Sequence, residues 1–200
     1  MTRKLEFFFD YVSPTSYLAH FVVPGVAERT GSELVYKPVF QGGVMQATGN
    51  VPPGTVAAKG AYMARDLQRC AARIGVPLIM NRHFPMNTLV LTRATIGLES
   101  EPEKQRRFID ACFRHSYGVA DGIDPTNPEH LKAMCEAEGF DVEEIVALGT
   151  DPANKEKLKA NTEEGIARGI FGTPSFFVGD ELFFGQDRLD YVEEALTAGS

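Results

Sequence analysis

The chain has 200 residues, of which 44% are hydrophobic and 24% charged, with a net charge of −7. This composition is typical of a globular protein with one domain, or one domain carrying an insertion. The acidic charge and scattered Lys/Arg residues argue against nucleic-acid binding. No apolar run approaches the roughly 20 residues that span a bilayer, and the start of the chain does not resemble a secretory signal. We therefore expect a cytoplasmic protein with no nucleic-acid or membrane partner.

The first elements predict a β-α-β unit. Residues 4–11 and 34–40 are predicted strands, because they are apolar or alternate apolar and polar side chains. Residues 16–30 have the apolar spacing of a helix, with a kink expected at Pro24-Gly25. A connection of this length joins two parallel strands through a right-handed crossover.

The middle of the chain, from about residue 56 to 167, is predicted to be helical. It contains almost no alternating segment, and Asp-Pro and Asn-Pro pairs punctuate it. The predicted helices cover residues 56–74, 87–98, 102–117, 128–138, 142–148 and 153–168.

The end of the chain changes pattern again. Two short apolar runs, 175–178 and 181–184, flank Gly179-Asp180 and predict an antiparallel hairpin. A helix is predicted over 187–198, with Asp187 as its N-cap. The whole pattern predicts an α/β fold: a thioredoxin-like domain with a mixed sheet, interrupted by an all-helical insertion. We expect residues 1–55 and 150–200 to form the thioredoxin-like domain and residues 56–149 the insertion.

Ser13-Pro14-Thr15-Ser16 follows the first strand and opens the first helix. A C-x-x-C motif at such a junction would indicate thiol–disulfide chemistry, but both cysteine positions carry serine. A hydroxyl and an early proline at a helix N-terminus make a corner that can bind an anion. Ser13 alone fits an ordinary N-cap equally well.

The cysteines and histidines do not indicate a metal site. Cys70, Cys112 and Cys135 are far apart and are predicted to be buried or inert thiols. His20, His115 and His130 lack the spacing of metal ligands and are predicted to be structural.

Gly172-Thr173-Pro174-Ser175 precedes the hairpin. In a thioredoxin-like topology a cis bond is expected between Thr173 and Pro174. The backbone N–H and C=O of Thr173 would then be exposed beside Ser13, where they could pair with an extended, peptide-like ligand.

Residues 81–87 mix asparagine, histidine and phenylalanine between two predicted helices, a composition typical of loops that line pockets. We expect Asn81, His83 and Asn87 to face an organic substrate. The alternatives are a turn in which Asn87 caps the next helix and His83 lies on the surface.

Five segments together resemble the 2-hydroxychromene-2-carboxylate isomerase family, which is related to kappa-class glutathione transferases and DsbA-type oxidoreductases. The resemblance covers nearly the whole chain in order, and one departure is Thr15, where the family often has tyrosine. The segments are 9–14 (FDYVSP), 49–53 (GNVPP), 81–87 (NRHFPMN), 169–174 (GIFGTP) and 184–188 (FGQDR).

The resemblance implies that glutathione is the cofactor and that Ser13 is the catalytic residue, hydrogen-bonded to the glutathione sulfur. It also implies binding roles for six more residues: Asn50 and Lys59 at the glycyl end, Thr173 and Pro174 at the cysteinyl amides, and Gln186 and Asp187 at the γ-glutamyl group. Taken alone, Lys59 is typical of a solvated lysine and Asp187 of a helix cap.

The activity implied by the resemblance is the interconversion of 2-hydroxychromene-2-carboxylate and the aromatic pyruvate trans-o-hydroxybenzylidenepyruvate, in aromatic hydrocarbon catabolism, by a homodimer. Three alternatives stay open: a kappa-class glutathione transferase or peroxidase, a DsbA-like oxidoreductase, and a non-catalytic thioredoxin-fold binding module. The absence of both motif cysteines argues against the oxidoreductase.

Overall fold

The computed structural model describes residues 3–198, which contain a single four-stranded sheet. Its strands are β1 (Lys4–Phe9), β2 (Glu33–Pro38), β3 (Ser175–Val178) and β4 (Glu181–Phe184), in the order β2-β1-β3-β4. Strands β1 and β2 are parallel, whereas β3 is antiparallel to both β1 and β4. The mixed sheet confirms the predicted thioredoxin-like architecture.

Ten α-helices surround this sheet within the described range. They are α1 (Pro14–His20), α2 (Val23–Thr30), α3 (Gln41–Thr48), α4 (Ala57–Ile74), α5 (Leu89–Gly97), α6 (Pro102–Tyr117), α7 (Pro128–Glu138), α8 (Val142–Thr150), α9 (Pro152–Ala167) and α10 (Leu189–Thr197). Helices α4 to α8 occupy the region where the sequence predicts a helical insertion. The exact division of the chain at residues 55/56 and 149/150 stays a prediction.

Three local predictions were wrong. The expected kinked helix is two helices, because Pro24 has no N–H to continue a helix and instead occupies the first turn of α2. Strand β2 stops at Pro38, and the N–H of Phe40 donates to Thr162 Oγ1 (3.0 Å) as α3 begins. Helix α10 begins at Leu189 and has no side-chain cap, so Asp187 is not its N-cap.

The sheet and the helical insertion share one hydrophobic core. Phe9, the last residue of β1, and Tyr11, two residues after it, contact Phe113 of α6 with ring centroids 5.5 and 4.8 Å apart. All three side chains are fully buried, and burying one such side chain contributes about 1.5–3 kcal/mol. Helix α6 therefore packs directly on the sheet, and it holds the end of β1 where the chain turns into α1.

Candidate active site

Ser13 caps helix α1, as the sequence predicts. Its backbone is extended (φ −93°, ψ 111°), its Oγ accepts the N–H of Ser16 at 3.1 Å, and Pro14 occupies the first helical position. The residue is 2% exposed. A serine hydroxyl in this place lies at the positive end of the α1 dipole.

The Ser13 hydroxyl meets two further oxygens. It lies 2.8 Å from Thr15 Oγ1, and it donates to the Thr173 carbonyl at 3.1 Å. The Thr15 hydroxyl lies 3.2 Å from the same carbonyl. The predicted cis peptide between Thr173 and Pro174 is present. The expectation of an exposed Thr173 carbonyl was wrong, because both hydroxyls cover it and the residue is 5% exposed.

The two hydroxyls can exchange their roles. Each has one hydrogen to donate, and both lie within reach of the Thr173 carbonyl. When Thr15 donates to that carbonyl, the Ser13 hydrogen is released to point elsewhere without leaving a buried carbonyl unpaired. Thr15 therefore allows Ser13 to act as a donor to a bound anion.

Asp10 is a buried carboxyl group that was not among the candidate residues predicted from the sequence. It is 1% exposed, and it accepts hydrogen bonds from the Val12 N–H (3.1 Å), the Gln41 N–H (2.9 Å) and the Thr88 hydroxyl (2.5 Å). Burial raises the pKa of Asp10 above its usual 3.8, and the hydrogen bonds oppose that rise. Asp10 thus ties the turn before Ser13 to the starts of α3 and α5.

Gln41 connects Asp10 to Thr173. Its backbone N–H donates to Asp10, and its side-chain oxygen accepts the Thr173 hydroxyl. Helix α3 was missed because Gly42 and Gly43 are poor helix formers. The sequence therefore gave no indication that Gln41 lies at the site. Asp10 could have been predicted, because it lies between a strand and a serine that caps a helix.

Asn50 lies beside the loop that precedes Pro174. Its Nδ2 donates to the Phe171 carbonyl at 2.7 Å, and its Oδ1 accepts the N–H of Val51 at 2.9 Å. Phe171 and Phe184 are each 40% exposed, with ring centroids 4.4 Å apart, and form an aromatic pair next to Gly172. Both rings lie within the sequence motifs, but the sequence assigned them no role. Lys59 is exposed near the start of α4.

Gln186 and Asp187 follow strand β4. Gln186 Nε2 lies 3.9 Å from Cys70 Sγ on α4, and the Asp187 carboxylate lies 3.3 Å from the Arg188 guanidinium. Gly185 bonds to the Pro174 carbonyl through its N–H (3.0 Å). A side chain at Gly185 would lie 2.7 Å from the Asp187 carboxylate at a φ of +106°, so glycine is required here. This close packing holds the β4 end beside Pro174.

The three residues expected to face a substrate have different surroundings. Asn81 is buried, donates to the Ile123 carbonyl (2.9 Å) and accepts the His83 N–H (2.8 Å), so it holds its own segment together. His83 is half-buried, with its ring 5.6 Å from that of His130. Asn87 is exposed, and its side chain accepts the N–H of Leu89 at 3.2 Å. It directly precedes Thr88, which bonds to Asp10.

The cysteines lie away from the Ser13 motif in sequence and are all free. Cys112 and Cys135 are buried, as expected, whereas Cys70 is half-buried. Burial raises the pKa of the Cys112 thiol well above its usual value and that of Cys135 to about 11. Both thiols are therefore protonated at neutral pH and are poor nucleophiles.

In residues 3–198, we find no helix with the length and apolar character needed to cross a membrane.

Comparisons with known proteins agree with this geometry. A family model described as a DSBA-like thioredoxin domain matches residues 4–197. A 2-hydroxychromene-2-carboxylate isomerase from Sphingobium xenophagum is 33% identical and aligns over 98% of this chain and 99% of its own length. The chain belongs to the DSBA-like thioredoxin-domain family and, within it, to the 2-hydroxychromene-2-carboxylate isomerase family.

Other relatives align over nearly the whole chain, in sequence or in structure. Kappa 1 glutathione S-transferase from Homo sapiens is 27% identical over 98% of this chain and 92% of its own length. A solved 2-hydroxychromene-2-carboxylate isomerase superposes with a TM-score of 0.86 at 27% identity, covering 98% of this chain and 95% of the other. A probable DsbA oxidoreductase from Streptomyces coelicolor, 20% identical with a TM-score of 0.74 over 98% of this chain and 89% of its own, shares the fold.

Proposed function

We propose that this protein is a glutathione-dependent isomerase that interconverts 2-hydroxychromene-2-carboxylate and trans-o-hydroxybenzylidenepyruvate. The observation that carries the proposal is the Ser13 hydroxyl at the N-terminus of α1, beside the Thr173 carbonyl, in a chain 33% identical to such an isomerase over nearly its whole length. Kappa-class glutathione transferases among the relatives support glutathione as the cofactor.

The residues around Ser13 fit a tripeptide thiol. The α1 N-terminus and a hydroxyl donor favour a thiolate, since helix N-termini lower cysteine pKa values from about 8.5 to roughly 3.5–7.5. Bound glutathione would supply the thiolate nucleophile for reversible addition to the conjugated double bond of the substrate. Ser13 would donate its hydrogen to that sulfur while Thr15 keeps the Thr173 carbonyl paired.

The remaining contacts of the tripeptide are assigned by the same proposal. Asn50 and Lys59 would bind its glycyl end, the Thr173 backbone and Pro174 its central amides, and Gln186 with Asp187 its γ-glutamyl group. Two contacts support this assignment. Asn50 bonds to the segment before Pro174, and Gly185, next to Gln186, bonds to the Pro174 carbonyl. The residues proposed for the glycyl end and for the γ-glutamyl end of the tripeptide therefore both lie close to Pro174.

The substrate would lie on the open side of this site. We assign His83 and Asn87 to the substrate pocket, and the exposed rings of Phe171 and Phe184 to its aromatic wall. Asn81 would act indirectly, by holding His83 through the bond between Asn81 Oδ1 and the His83 N–H. The proposal also includes a homodimer that acts in the cytoplasm, in aromatic hydrocarbon catabolism.

A kappa-class transferase or peroxidase is the second candidate, because the human kappa enzyme aligns over 98% of this chain. Steady-state assays with glutathione and, in turn, the aromatic pyruvate, an arylating electrophile and a peroxide separate the two. We expect the highest kcat/KM with the aromatic pyruvate. A higher kcat/KM with the arylating electrophile or with the peroxide would favour the transferase or peroxidase over the isomerase. If calorimetry detects no binding of glutathione, both candidate functions are contradicted.

Thr15→Val tests the exchange of hydrogen-bond roles. Valine has nearly the shape of threonine but cannot donate, so the Ser13 hydrogen stays committed to the Thr173 carbonyl. We expect kcat/KM for the isomerisation to fall about tenfold, the effect of one hydrogen bond that contributes ~1.4 kcal/mol. The thiol pKa of bound glutathione, read from the pH dependence of kcat, should rise. Thr15→Ser is the control and should retain both values, whereas a wild-type pH profile in Thr15→Val would contradict the exchange.

A further inference from the structure

The side chain of Gln41, the first residue of α3, contacts the Ser13 site through Thr173. Its Oε1 accepts the Thr173 hydroxyl, and the carbonyl of the same threonine accepts the Ser13 hydroxyl at 3.1 Å. Thr173 is buried, and its hydroxyl has no other partner in the described part of the chain. The side-chain amide of Gln41 is therefore held in one orientation beside the Ser13 site.

The backbone of Gln41 is fixed as well. Its N–H donates to Asp10 Oδ2 at 2.9 Å, and Asp10 Oδ1 accepts the Thr88 hydroxyl. Thr88 directly follows Asn87, which the proposed function places in the substrate pocket. One buried carboxylate thus connects Gln41 to the substrate segment, while the side chain of Gln41 reaches the residue before Pro174. Gln41 therefore lies between the proposed thiol site and the proposed substrate pocket.

The side-chain nitrogen of Gln41 is a hydrogen-bond donor without a partner. Of the two polar atoms of this side chain, only Oε1 is bonded within residues 3–198. The residue is half-buried, and Nε2 remains accessible to solvent, so a molecule in the site can reach it. An amide nitrogen carries two hydrogens and accepts none, so it favours an oxygen acceptor, and most of all a charged one.

We propose that Gln41 Nε2 donates a hydrogen bond to the keto oxygen of the aromatic pyruvate, and that this bond strengthens as the oxygen becomes negatively charged. The inference rests on the proposed function. In that reaction the conjugated double bond accepts a thiolate at the carbon attached to the aromatic ring. A C–S bond forms there, and the displaced electron pair is delocalised onto the keto oxygen. The pair returns when the C–S bond breaks, and a fixed donor stabilises the negative charge between these two events.

Gln41→Met tests the proposal, because methionine is close to glutamine in length and size but has no N–H. We expect kcat for the isomerisation to fall about 10–100-fold with little change in KM, since the donor acts mainly on the charged oxygen. An enclosed oxyanion donor contributes roughly 100–1,000-fold, and the loss is smaller here because Gln41 is only half-buried. The ultraviolet absorbance of the bound thiolate should stay at its wild-type level. Gln46→Met makes the same change at an exposed position of α3 and should retain kcat.

Gln41→Glu separates the donor role from the support of Thr173. Glutamate keeps an oxygen that accepts the Thr173 hydroxyl, but it lacks both N–H groups. We expect kcat to fall at least as far as in Gln41→Met, because the carboxylate also repels the developing charge. Wild-type kcat in Gln41→Glu would overturn the proposal, and so would a loss of thiolate absorbance in Gln41→Met that matches its loss of kcat. Either result would mean that Gln41 acts only through Thr173.

A binding experiment gives a readout that does not depend on turnover. The ligand 4-phenyl-2-oxobutanoate has the keto group and the carboxylate but lacks the reactive double bond, and 4-phenylbutanoate lacks the keto group as well. In calorimetry with saturating glutathione, the wild type should prefer the keto acid. Gln41→Met should reduce this preference about fivefold, the typical effect of one neutral hydrogen bond. An unchanged preference in the variant would contradict the contact.

Failure of this inference is distinguishable from failure of the proposed function. If the wild type isomerises the aromatic pyruvate and Gln41→Met does so equally well, only the donor role of Gln41 is refuted. If the wild type binds no glutathione or does not isomerise the aromatic pyruvate, the proposed function is contradicted and the donor role with it.

Discussion

Ser13→Ala is expected to lower kcat/KM for the glutathione-dependent isomerisation by about 10–100-fold, because it removes a hydrogen bond to a charged sulfur, typically ~1.5–3 kcal/mol. The variant also loses the side-chain cap of α1, since Ser13 Oγ accepts the Ser16 N–H. Steady-state kinetics across pH and the ultraviolet absorbance of the bound thiolate measure the effect. The thiol pKa of bound glutathione should rise in the variant.

Ser16→Ala is the matched control for this prediction. Ser16 lies in the same first turn of α1, is fully buried, and has a hydroxyl without a partner among the described residues. Its removal should leave both kcat/KM and the thiolate absorbance near wild type. Equal losses in the two variants would mean that the first turn of α1 matters only for stability, and Ser13 would lose its proposed catalytic role.

Asp10→Ala is expected to destabilise the protein by about 3–5 kcal/mol, since it leaves several buried donors without an acceptor. The donors are the N–H groups of Val12 and Gln41 and the hydroxyl of Thr88. Urea unfolding measures the change in the free energy of unfolding. Asp121→Ala is the control at a side chain that is 91% exposed, and we expect a change within about 0.5 kcal/mol there. A similarly small loss in Asp10→Ala would contradict the role of Asp10 as the tie between β1, α3 and α5.

The pH dependence of stability provides a second measurement on Asp10. Its pKa is raised above the usual 3.8, so the folded protein binds this proton more tightly than the unfolded chain. The resulting stabilisation is fully present below pH 3.8 and is lost as the pH rises through the higher folded pKa. Because Asp10→Asn cannot titrate, the stability of the wild type relative to this variant should decrease over that interval. Parallel pH curves would show that burial does not dominate the pKa of Asp10.

Local sequence patterns predicted most of the elements because they depend on neighbouring residues. Apolar periodicity located β1, the hairpin of β3 and β4, and the helices from α4 to α9 within a few residues. The Ser13-Pro14 pair predicted the start of α1 because an N-cap and its proline act within one turn. The same reasoning failed at α3, whose two glycines oppose a helix, and at Asp187, whose side chain faces Arg188.

The candidate site was predictable only in part. Ser13, Thr173 and Pro174 were found through the motifs, and the structure brings the Ser13 hydroxyl to the Thr173 carbonyl across 160 positions in sequence. The contribution of Thr15 to this pair, the burial of Asp10 and the link through Gln41 were not found. Each of these depends on a contact between segments whose relative placement no local pattern specifies.

By itself, the sequence determined the order of the four strands and of the helices from α4 to α9, the opening of the first helix near Ser13-Pro14, and the absence of cysteine from both motif positions. These properties depend on residues within a turn or two of one another. Only the tertiary structure decided which oxygen the Ser13 hydroxyl meets, that Thr15 can free its hydrogen, and that Asp10 accepts donors from three separate segments. The physical reason is that burial and long-range hydrogen bonds, which set donor direction and pKa, arise only when distant segments pack together.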